Sequence, residues 1–278
     1  MGTLYLIATP IGNLEDISAR ALRLLGQVRL IAAEDTRQTR KLLTHFDIHT
    51  SLTSYYEHNK LDKLERVLVE LDQGDVALVS DAGTPGLNDP GYELVRAALQ
   101  RGHSISPVPG PSAPVAALVA SGLPTDAFLF LGYLPRRSSE RRRLLEEIAH
   151  LPYTLVFLEA PHRLLRTLDD LSTILGVRQI AVARELTKLH EEIFRGDIAE
   201  ARWHFEEQEP RGEFTLVIAG SSPQKVEWSE EQLVAELEKG LSSGLPAAQV
   251  ASEVAARSGR PRRELYQILI DLQNQRKD

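Results

Sequence analysis

Hydrophobic and polar positions occur in blocks along the chain that predict a repeated order of strand, loop and helix. Short apolar runs typical of buried strands lie at 4–8, 28–33, 76–79 and 104–108. Segments 16–25 and 61–71 show the helical spacing of apolar residues. Continuous apolar strands separated by helices are typical of a largely parallel sheet covered on both faces. We therefore predict an N-terminal α/β domain over residues 1–120.

A second α/β domain is predicted over residues 121–222. Its strands are expected at 128–132, 153–158, 180–184 and 214–219, with helices near 141–150 and 163–175. The remaining segment, 223–278, is polar and helical, and two predicted helices, 246–257 and 261–273, flank a glycine turn at 258–260. Arg260, Arg262 and Arg263 lie at the start of the last helix, as in a helix-turn-helix motif. The predicted fold class is α/β, with two such domains and a small helical C-terminal appendage.

Composition and charge narrow the possible functions. The 278 residues are 42% hydrophobic and 26% charged, as in an ordinary globular protein. The net charge of −7 argues against nucleic acid, but basic residues cluster between Arg136 and Arg143, and 257–277 holds six basic residues against two acidic ones. Local patches of basic residues, rather than the net charge, decide whether a protein binds a phosphate backbone. The lack of cysteine excludes disulfides, thiolate metal sites and cysteine nucleophiles.

Neither a membrane protein nor a metalloprotein is expected. No segment approaches the roughly 18 apolar residues that a membrane helix needs, and the N-terminus has no basic region or cleavage site. The protein is therefore expected in the cytoplasm. The eight histidines lack paired ligand spacing, so no metal site is predicted.

Loops at the ends of the predicted strands carry the candidate chemistry. Ligands of an open parallel sheet bind at the carboxyl ends of its strands. Four such loops, at 9–13, 34–37, 80–91 and 109–113, are rich in small or polar residues. They match neither the dinucleotide fingerprint nor the phosphate-binding lysine loop, and no nucleophile elbow is present. Together they predict a binding site of another type.

Each loop also has a purely structural interpretation. Asn13 or Asp16 and Ser112 are suitable helix caps. Glu34 and Asp35 suit the dipole of a helix start, and the arginine run at 136–143 resembles a solvated helix face. The length of 80–91 favours function, because long loops in compact domains are usually functional. Helix capping does not explain Arg37 with Arg40 and Lys41 just beyond it.

The loops together resemble a known family. Residues 9–14, 33–37, 80–85, 88–91, 109–111 and 183–188 read TPIGNL, AEDTR, SDAGTP, NDPG, PGP and ARELTK. This combination resembles the bacterial ribosomal RNA small subunit methyltransferase I family of the tetrapyrrole methylase superfamily. The match runs in order over roughly residues 3 to 220, and the tail resembles the family's helix-turn-helix appendage.

The resemblance implies two α/β domains of the tetrapyrrole methylase type, with S-adenosylmethionine in the cleft between them and a homodimer. It further implies 2′-O-methylation of a cytidine in the decoding region of 16S ribosomal RNA, within the small ribosomal subunit. The positions it places near the donor are Ile11, Asp81, Thr84, Ser112, Ala113, Leu158, Ala183 and Phe214.

The expected reaction needs alignment and a base. The sulfonium is already activated, so in-line positioning should dominate, and a ribose hydroxyl attacks poorly until its proton is removed. Glu185, Lys188 and Asp35 are the candidate catalytic residues, because they lie on loops that follow strands. The candidate RNA contacts are Arg37, Arg136, Arg137, Arg141 and Arg142.

Two other functions remain open at this point. A methyltransferase of the same fold acting on a tetrapyrrole would not need the arginine run, and its substrate binding would be insensitive to salt. An effector-binding helix-turn-helix regulator would leave some 220 residues of α/β structure without an evident catalytic task.

Overall fold

The protein is described by a computed structural model that covers residues 2–56, 60–221 and 228–275. It contains two compact units, Met1–Gly220 and Ser221–Asp278. The strands are β1 Thr3–Ile7, β2 Leu30–Ala33, β3 Leu52–Ser54, β4 Val76–Val79, β5 Ser104–Val108, β6 Phe128–Tyr133, β7 Thr154–Glu159, β8 Gln179–Arg184, β9 Glu192–Asp197 and β10 Phe214–Ile218. The helices are α1 Ala19–Gln27, α2 Thr36–His45, α3 Lys60–Gln73, α4 Tyr92–Gln100, α5 Ala113–Ser121, α6 Ser138–Ile148, α7 Leu164–Leu175, α8 Ile198–Glu207, α9 Glu230–Ser242, α10 Ala247–Ser258 and α11 Arg262–Gln275.

The first sheet is fully parallel, in the order β3-β2-β4-β1-β5. Every residue of β2 and β4 is buried, because helices cover both faces. On one face α1 contributes Leu24 and Leu25, and on the other α3 contributes Val67, Leu68 and Leu71. Full burial of such a side chain contributes roughly 1.5–3 kcal/mol. The predicted α/β class is confirmed, and strands 76–79 and 104–108 have the bounds that the sequence predicted.

The second sheet is mixed, in the order β6-β7-β10-β8-β9. Only β6 and β7 are parallel, and β10 lies antiparallel between β7 and β8. This pairing sets Phe214 opposite both Glu159 and Arg184. A core cluster under this sheet includes Phe157, Phe205 and Leu216. The first residue of β10 therefore lies between the last residues of β7 and β8.

Several boundaries differ from the predicted ones. The helix predicted at 16–25 is a 3-10 turn, Leu14–Asp16, followed by α1, because the Ser18 side chain caps α1 by accepting from Ala21 N. β3 and β9 were not predicted. β3 has only three residues, and β9 is a partly exposed edge strand in which only Ile193 and Phe194 are apolar.

The C-terminal unit is a three-helix cluster. Leu237, Val250 and Leu265 are buried in its core, one from each helix. Gly259 ends α10 in the left-handed conformation with φ 71°, which glycine adopts without strain. The two helices predicted at 246–257 and 261–273 are thus present. Across the described ranges, no helix combines the length and apolarity required to span a membrane.

Candidate functional site

Four loops meet at the carboxyl-terminal edge of the first sheet. The loops after β1 and β4 are joined by hydrogen bonds between Thr9 and Gly83, of 2.9 and 3.0 Å. Asp35 N donates to Asp81 Oδ1 at 2.9 Å, which fixes the loop after β2. Thr84 Oγ1 donates to the Pro111 carbonyl at 3.3 Å and reaches the loop after β5. The loops singled out from the sequence therefore form one surface.

A cavity of about 230 Å³, here called the first cavity, lies over this surface. Its other wall comes from the second sheet. It is lined by Ile11, Glu34, Asp81, Ala82, Gly83, Thr84, Leu87, Asn88, Asp89, Ser112, Ala113, Pro114, Tyr133, Leu158, Glu213, Phe214 and Thr215. A small annex is lined by Ile11, Ala113, Ala183, Leu186, Glu213 and Thr215. The eight positions that the family resemblance placed near the donor all line the first cavity or its annex.

The loop at 83–91 reaches across to the second domain. Asn88 has a positive φ of 67°, and its side chain packs so closely on Gly132 that a Cβ there would overlap the amide. Gly132 itself has φ 63° and lies at an irregularity of β6. Only glycine allows this close approach. The contact closes one end of the first cavity beside Tyr133.

Carboxylates dominate the electrostatics of the first cavity. Burial is the main cause that raises the pKa of Glu34 and of Asp81. Burial and the nearby charge of Glu34 raise the pKa of Asp89 to about 6. Among the described residues, the lining contains neither lysine nor arginine. The first cavity therefore suits a ligand that carries positive charge.

Sequence reasoning did not find every residue of this cavity. Asp89 lies in a motif that was recognised, but it was not selected as a site residue. Tyr133 and Glu213 carried no local signal, since each lies at the end of a strand of the second sheet. Within the described part of the chain, no group of three histidine, aspartate or glutamate side chains is arranged to hold a metal ion.

A second cavity of about 450 Å³ adjoins the first. Its walls are the loop after β1, one face of α2, and Lys188 and Glu213 from the second domain. Ile11, Asp81 and Ala82 line both cavities. These three residues, with Glu213, form the partition between the two cavities.

Lys188 is held at the second cavity by two carboxylates. Its Nζ donates to Glu185 Oε1 at 2.9 Å and to Glu213 Oε2 at 3.0 Å. Burial lowers the pKa of Lys188, but the hydrogen bonds to these carboxylates outweigh it and raise the pKa. For Glu185, burial raises the pKa, and the hydrogen bonds from Lys188 and Glu213 N bring it below its ordinary value. Lys188 is consequently an ammonium and Glu185 a carboxylate at neutral pH.

The loop that carries Lys188 is strained and packed against the first domain. Glu185 and Thr187 have positive φ values of 49° and 65°, which cost free energy in residues other than glycine. Asn13 N donates to Thr187 Oγ1 at 3.1 Å. A Cβ at Gly12 would overlap Lys188 Cγ. The two domains therefore fix this loop between them.

Asp35 occupies a different position from Glu185 and Lys188. Its carboxylate caps α2 by accepting from Arg37 N at 2.8 Å, and it pairs with the Arg37 guanidinium at 2.7 Å. These hydrogen bonds lower the pKa of Asp35 to about 2. It lines neither cavity.

One arginine of the run at 136–143 is buried. Arg141 is 4% exposed, and its Nε donates to Asp170 Oδ2 at 2.7 Å. This position corrects the expectation that Arg141 contacts RNA, because the guanidinium is needed to neutralise a buried carboxylate. Arg136, Arg137 and Arg142 are exposed, although Arg142 also pairs with Asp170, at 2.6 Å.

Known proteins share both the sequence and the fold. The family of tetrapyrrole (corrin/porphyrin) methylases matches residues 3–202, and the RsmI C-terminal HTH domain matches residues 229–273. A ribosomal RNA small subunit methyltransferase I from Synechocystis is 49% identical over 98% of this chain and 99% of its own length. One from Thermotoga maritima is 48% identical over 79% of this chain and 99% of its own. Uroporphyrin-III C-methyltransferase from Thermus thermophilus, solved with S-adenosyl homocysteine, is 21% identical over 78% of this chain and 97% of its own, with a TM-score of 0.53.

Proposed function

The chain belongs to the ribosomal RNA small subunit methyltransferase I family, and from this premise we propose that it methylates the 2′-oxygen of a cytidine in the decoding region of 16S ribosomal RNA. It is an S-adenosylmethionine-dependent methyltransferase. The observation that carries the proposal is the pair of adjoining cavities, one acidic and one with lysines in its wall.

The first cavity is proposed as the donor site. The donor has a sulfonium and an ammonium against one carboxylate, so the carboxylates of this cavity suit its net positive charge. Asp81 is placed to accept hydrogen bonds from its hydroxyl or amino groups, and Thr84 offers a hydroxyl beside it. Leu158 and Phe214 supply apolar wall for the base. The remaining proposed donor contacts are Ile11, Ser112, Ala113 and Ala183.

Glu185 and Lys188 are proposed to serve the acceptor end of the cleft. When bound, the donor supplies a methyl group already activated on sulfur. The Lys188 ammonium stabilises negative charge on an oxygen in the second cavity, which lowers the pKa of a bound hydroxyl. Glu185 holds that ammonium in place. Glu213 lines both cavities and is proposed to take the hydroxyl proton and pass it to water.

The other candidates take supporting roles. Asp35, with its low pKa, is a poor proton acceptor, and we propose that it fixes Arg37 instead. Arg37, Arg136, Arg137 and Arg142 are proposed to contact phosphates, because all four are exposed. Arg141 is not included, since it is buried.

The setting of the enzyme is proposed from the same family. We expect it to act in the cytoplasm, as a homodimer, on the small ribosomal subunit. The large apolar side chains of Tyr92, Leu99 and Val119 are exposed on α4 and α5, which supports an apolar contact with a second copy.

The test is methyl transfer from labelled S-adenosylmethionine to small ribosomal subunits from a strain that lacks this protein. We expect label in one nucleotide, identified by mass spectrometry as 2′-O-methylcytidine, which resists alkaline cleavage. Subunits from the parental strain, already methylated, are the matched control and should accept little label. Label on a base, or transfer to a tetrapyrrole but not to subunits, would overturn the proposal. Transfer to a tetrapyrrole is tested because uroporphyrin-III C-methyltransferase shares the fold.

A further inference from the structure

We propose that the second cavity binds the acceptor nucleotide and that the RNA strand reaches it across α2, where Arg40 and Lys41 hold its phosphates. This inference rests on the proposed function and adds the entry route and the residues that hold the acceptor. It assigns the main phosphate contacts to α2, whereas the sequence favoured the arginine run at 136–143.

The position of the second cavity fits the geometry of the reaction. Transfer in line requires the attacking oxygen and the donor on opposite sides of the methyl carbon. Ile11, Asp81 and Ala82 line both cavities, so the two spaces adjoin at these residues. At about 450 Å³, the second cavity is within the range of pockets that bind small ligands, about 300–1,000 Å³. A nucleoside can therefore occupy the second cavity.

The second cavity contains one cation that can meet an anion. Its wall contains Lys41 and Lys188 together with Asp81 and Glu213. The ammonium of Lys188 is neutralised by Glu185 and Glu213, whereas Lys41 Nζ is bound to a neutral amide, Gln38 Oε1, at 3.1 Å. Lys41 therefore keeps a full charge that a phosphate next to the bound nucleoside can neutralise.

A surface depression of about 520 Å³ continues from Lys41 along α2. It is lined by Arg37, Arg40, Lys41, Thr44 and His45. Lys41 belongs to both this depression and the second cavity. The basic surface and the second cavity thus meet at Lys41. Single-stranded RNA, whose nucleotides can splay out from their neighbours, is the ligand that this arrangement suits.

Two exposed members of the arginine run are already paired. Arg137 pairs with Glu140 at 3.3 Å, and Arg142 pairs with Asp170. On α2, Arg37 is paired with Asp35, but among the described residues no carboxylate pairs with Lys41. Counterion release, which drives phosphate binding, is greatest for cations that are not already neutralised within the protein.

The first experiment compares Arg40→Ala/Lys41→Ala with Lys63→Ala/Arg66→Ala, a charge-matched control on α3 outside the lining of both cavities. Steady-state methylation of small subunits is measured at several salt concentrations, together with S-adenosylmethionine affinity. We expect the α2 variant to raise KM for subunits about tenfold. The slope of log KM against log salt concentration should fall by about 1.5, since each lost phosphate contact removes roughly 0.7–0.9 from that slope. Donor affinity should stay within about twofold.

A second variant tests the cavity itself. Gln38 is an exposed residue of α2 that lines the second cavity, so Gln38→Trp fills the space with little risk to folding. We expect kcat/KM to fall at least tenfold with unchanged donor affinity, while Gln208→Trp, at an exposed position outside both cavities, stays within about threefold of wild type. Equal KM values and salt slopes for the α2 variant and its control, or an active Gln38→Trp enzyme, would overturn the inference. A wild-type enzyme that does not methylate subunits at all would instead refute the proposed function.

Discussion

The two cavities share one partition but differ in charge. The first cavity has four carboxylates in its lining, and the residues that line it include no lysine or arginine among those described. The second cavity has Lys41 and Lys188 in its wall. Asp81 and Glu213 belong to both. In the described ranges, the charged side chains that line the first cavity are therefore all acidic, whereas the second cavity carries two carboxylates and two lysines.

Under the proposed function, this difference would let one cleft sort two substrates of opposite charge. A sulfonium donor is favoured where the lining is acidic, and a polyanion is favoured where lysines line the wall. If the donor and the RNA exchanged cavities, like charges would lie together, which costs free energy in both cavities. The predictions below separate the two cavities, since each variant should affect one substrate more than the other.

The largest effect is expected from Lys188→Ala. Loss of the ammonium at the acceptor oxygen should lower kcat about 10²–10³-fold, the usual cost of removing one stabilising group from a reacting oxygen. S-adenosylmethionine affinity should change less than twofold, because Lys188 lines only the second cavity. Single-turnover methylation and calorimetry measure the two quantities.

Lys188→Arg is the matched control for charge. If Lys188 acts as a fixed cation, arginine should restore part of kcat and shift the pH profile little. If lysine is needed as a neutral base, arginine should be as inactive as alanine, and the electrostatic role would be wrong.

On the other side of the partition, Asp81→Asn should weaken S-adenosylmethionine binding about tenfold to a hundredfold, the usual range for a hydrogen bond to a charged group. Asparagine keeps an oxygen to accept from Asp35 N, so the loop should hold its place. Subunit binding without donor should change less than donor binding does, because the proposed phosphate contacts lie on α2. Asp126→Asn, at an exposed position outside both cavities, is the control. Equal donor affinity in the two variants would remove Asp81 from the donor site.

A smaller effect is expected at the contact between the domains. In Gly12→Ala the new Cβ would overlap Lys188 Cγ and lie 2.9 Å from Thr187 Oγ1, so the loop must shift. Displacement of the ammonium should lower kcat about tenfold. Gly26→Ala, where an added Cβ meets nothing within 4 Å, is the matched control and should keep wild-type kcat. An unchanged kcat in Gly12→Ala would mean that the position of Lys188 does not depend on this contact.

The sequence predicted the first domain better than the second, for a physical reason. β4 is a central, fully buried strand whose bounds follow from its apolar run, and β5, although an edge strand, is bounded by turns rich in glycine and proline. β9 is an edge strand in which only alternate residues need to be apolar, so it lacks such a run. The order β7-β10-β8 depends on long-range pairing, which periodicity does not encode.

The same distinction holds at the site. Residues on motif-bearing loops, such as Asp81 and Thr84, were found because several local signals coincide there. Glu213 was missed because it lies in the cleft only through the pairing of β10. Arg141 was misjudged because its partner, Asp170, lies 29 residues away on another helix. A run of arginines does not reveal which member is already neutralised.

The smallest expected effect is the pH dependence of donor binding, and it tests the acidic side of the comparison directly. The pKa of Asp89 is raised to about 6 by burial and by the charge of Glu34, while a hydrogen bond with Ser80 opposes the shift. A cationic ligand favours the charged carboxylate, so S-adenosylmethionine affinity should rise as pH increases through about 6 and level off above 7. A change of about threefold between pH 5 and 8 is expected by calorimetry, within the 0.5–1.5 kcal/mol usual for one screened polar interaction. Asp89→Asn should flatten the profile while leaving the weaker titration of Glu34 and Asp81, whose pKa values burial also raises. An affinity that falls as pH rises through this window would mean that the first cavity prefers its carboxyl groups neutral, and the acidic lining would then not be what selects the donor.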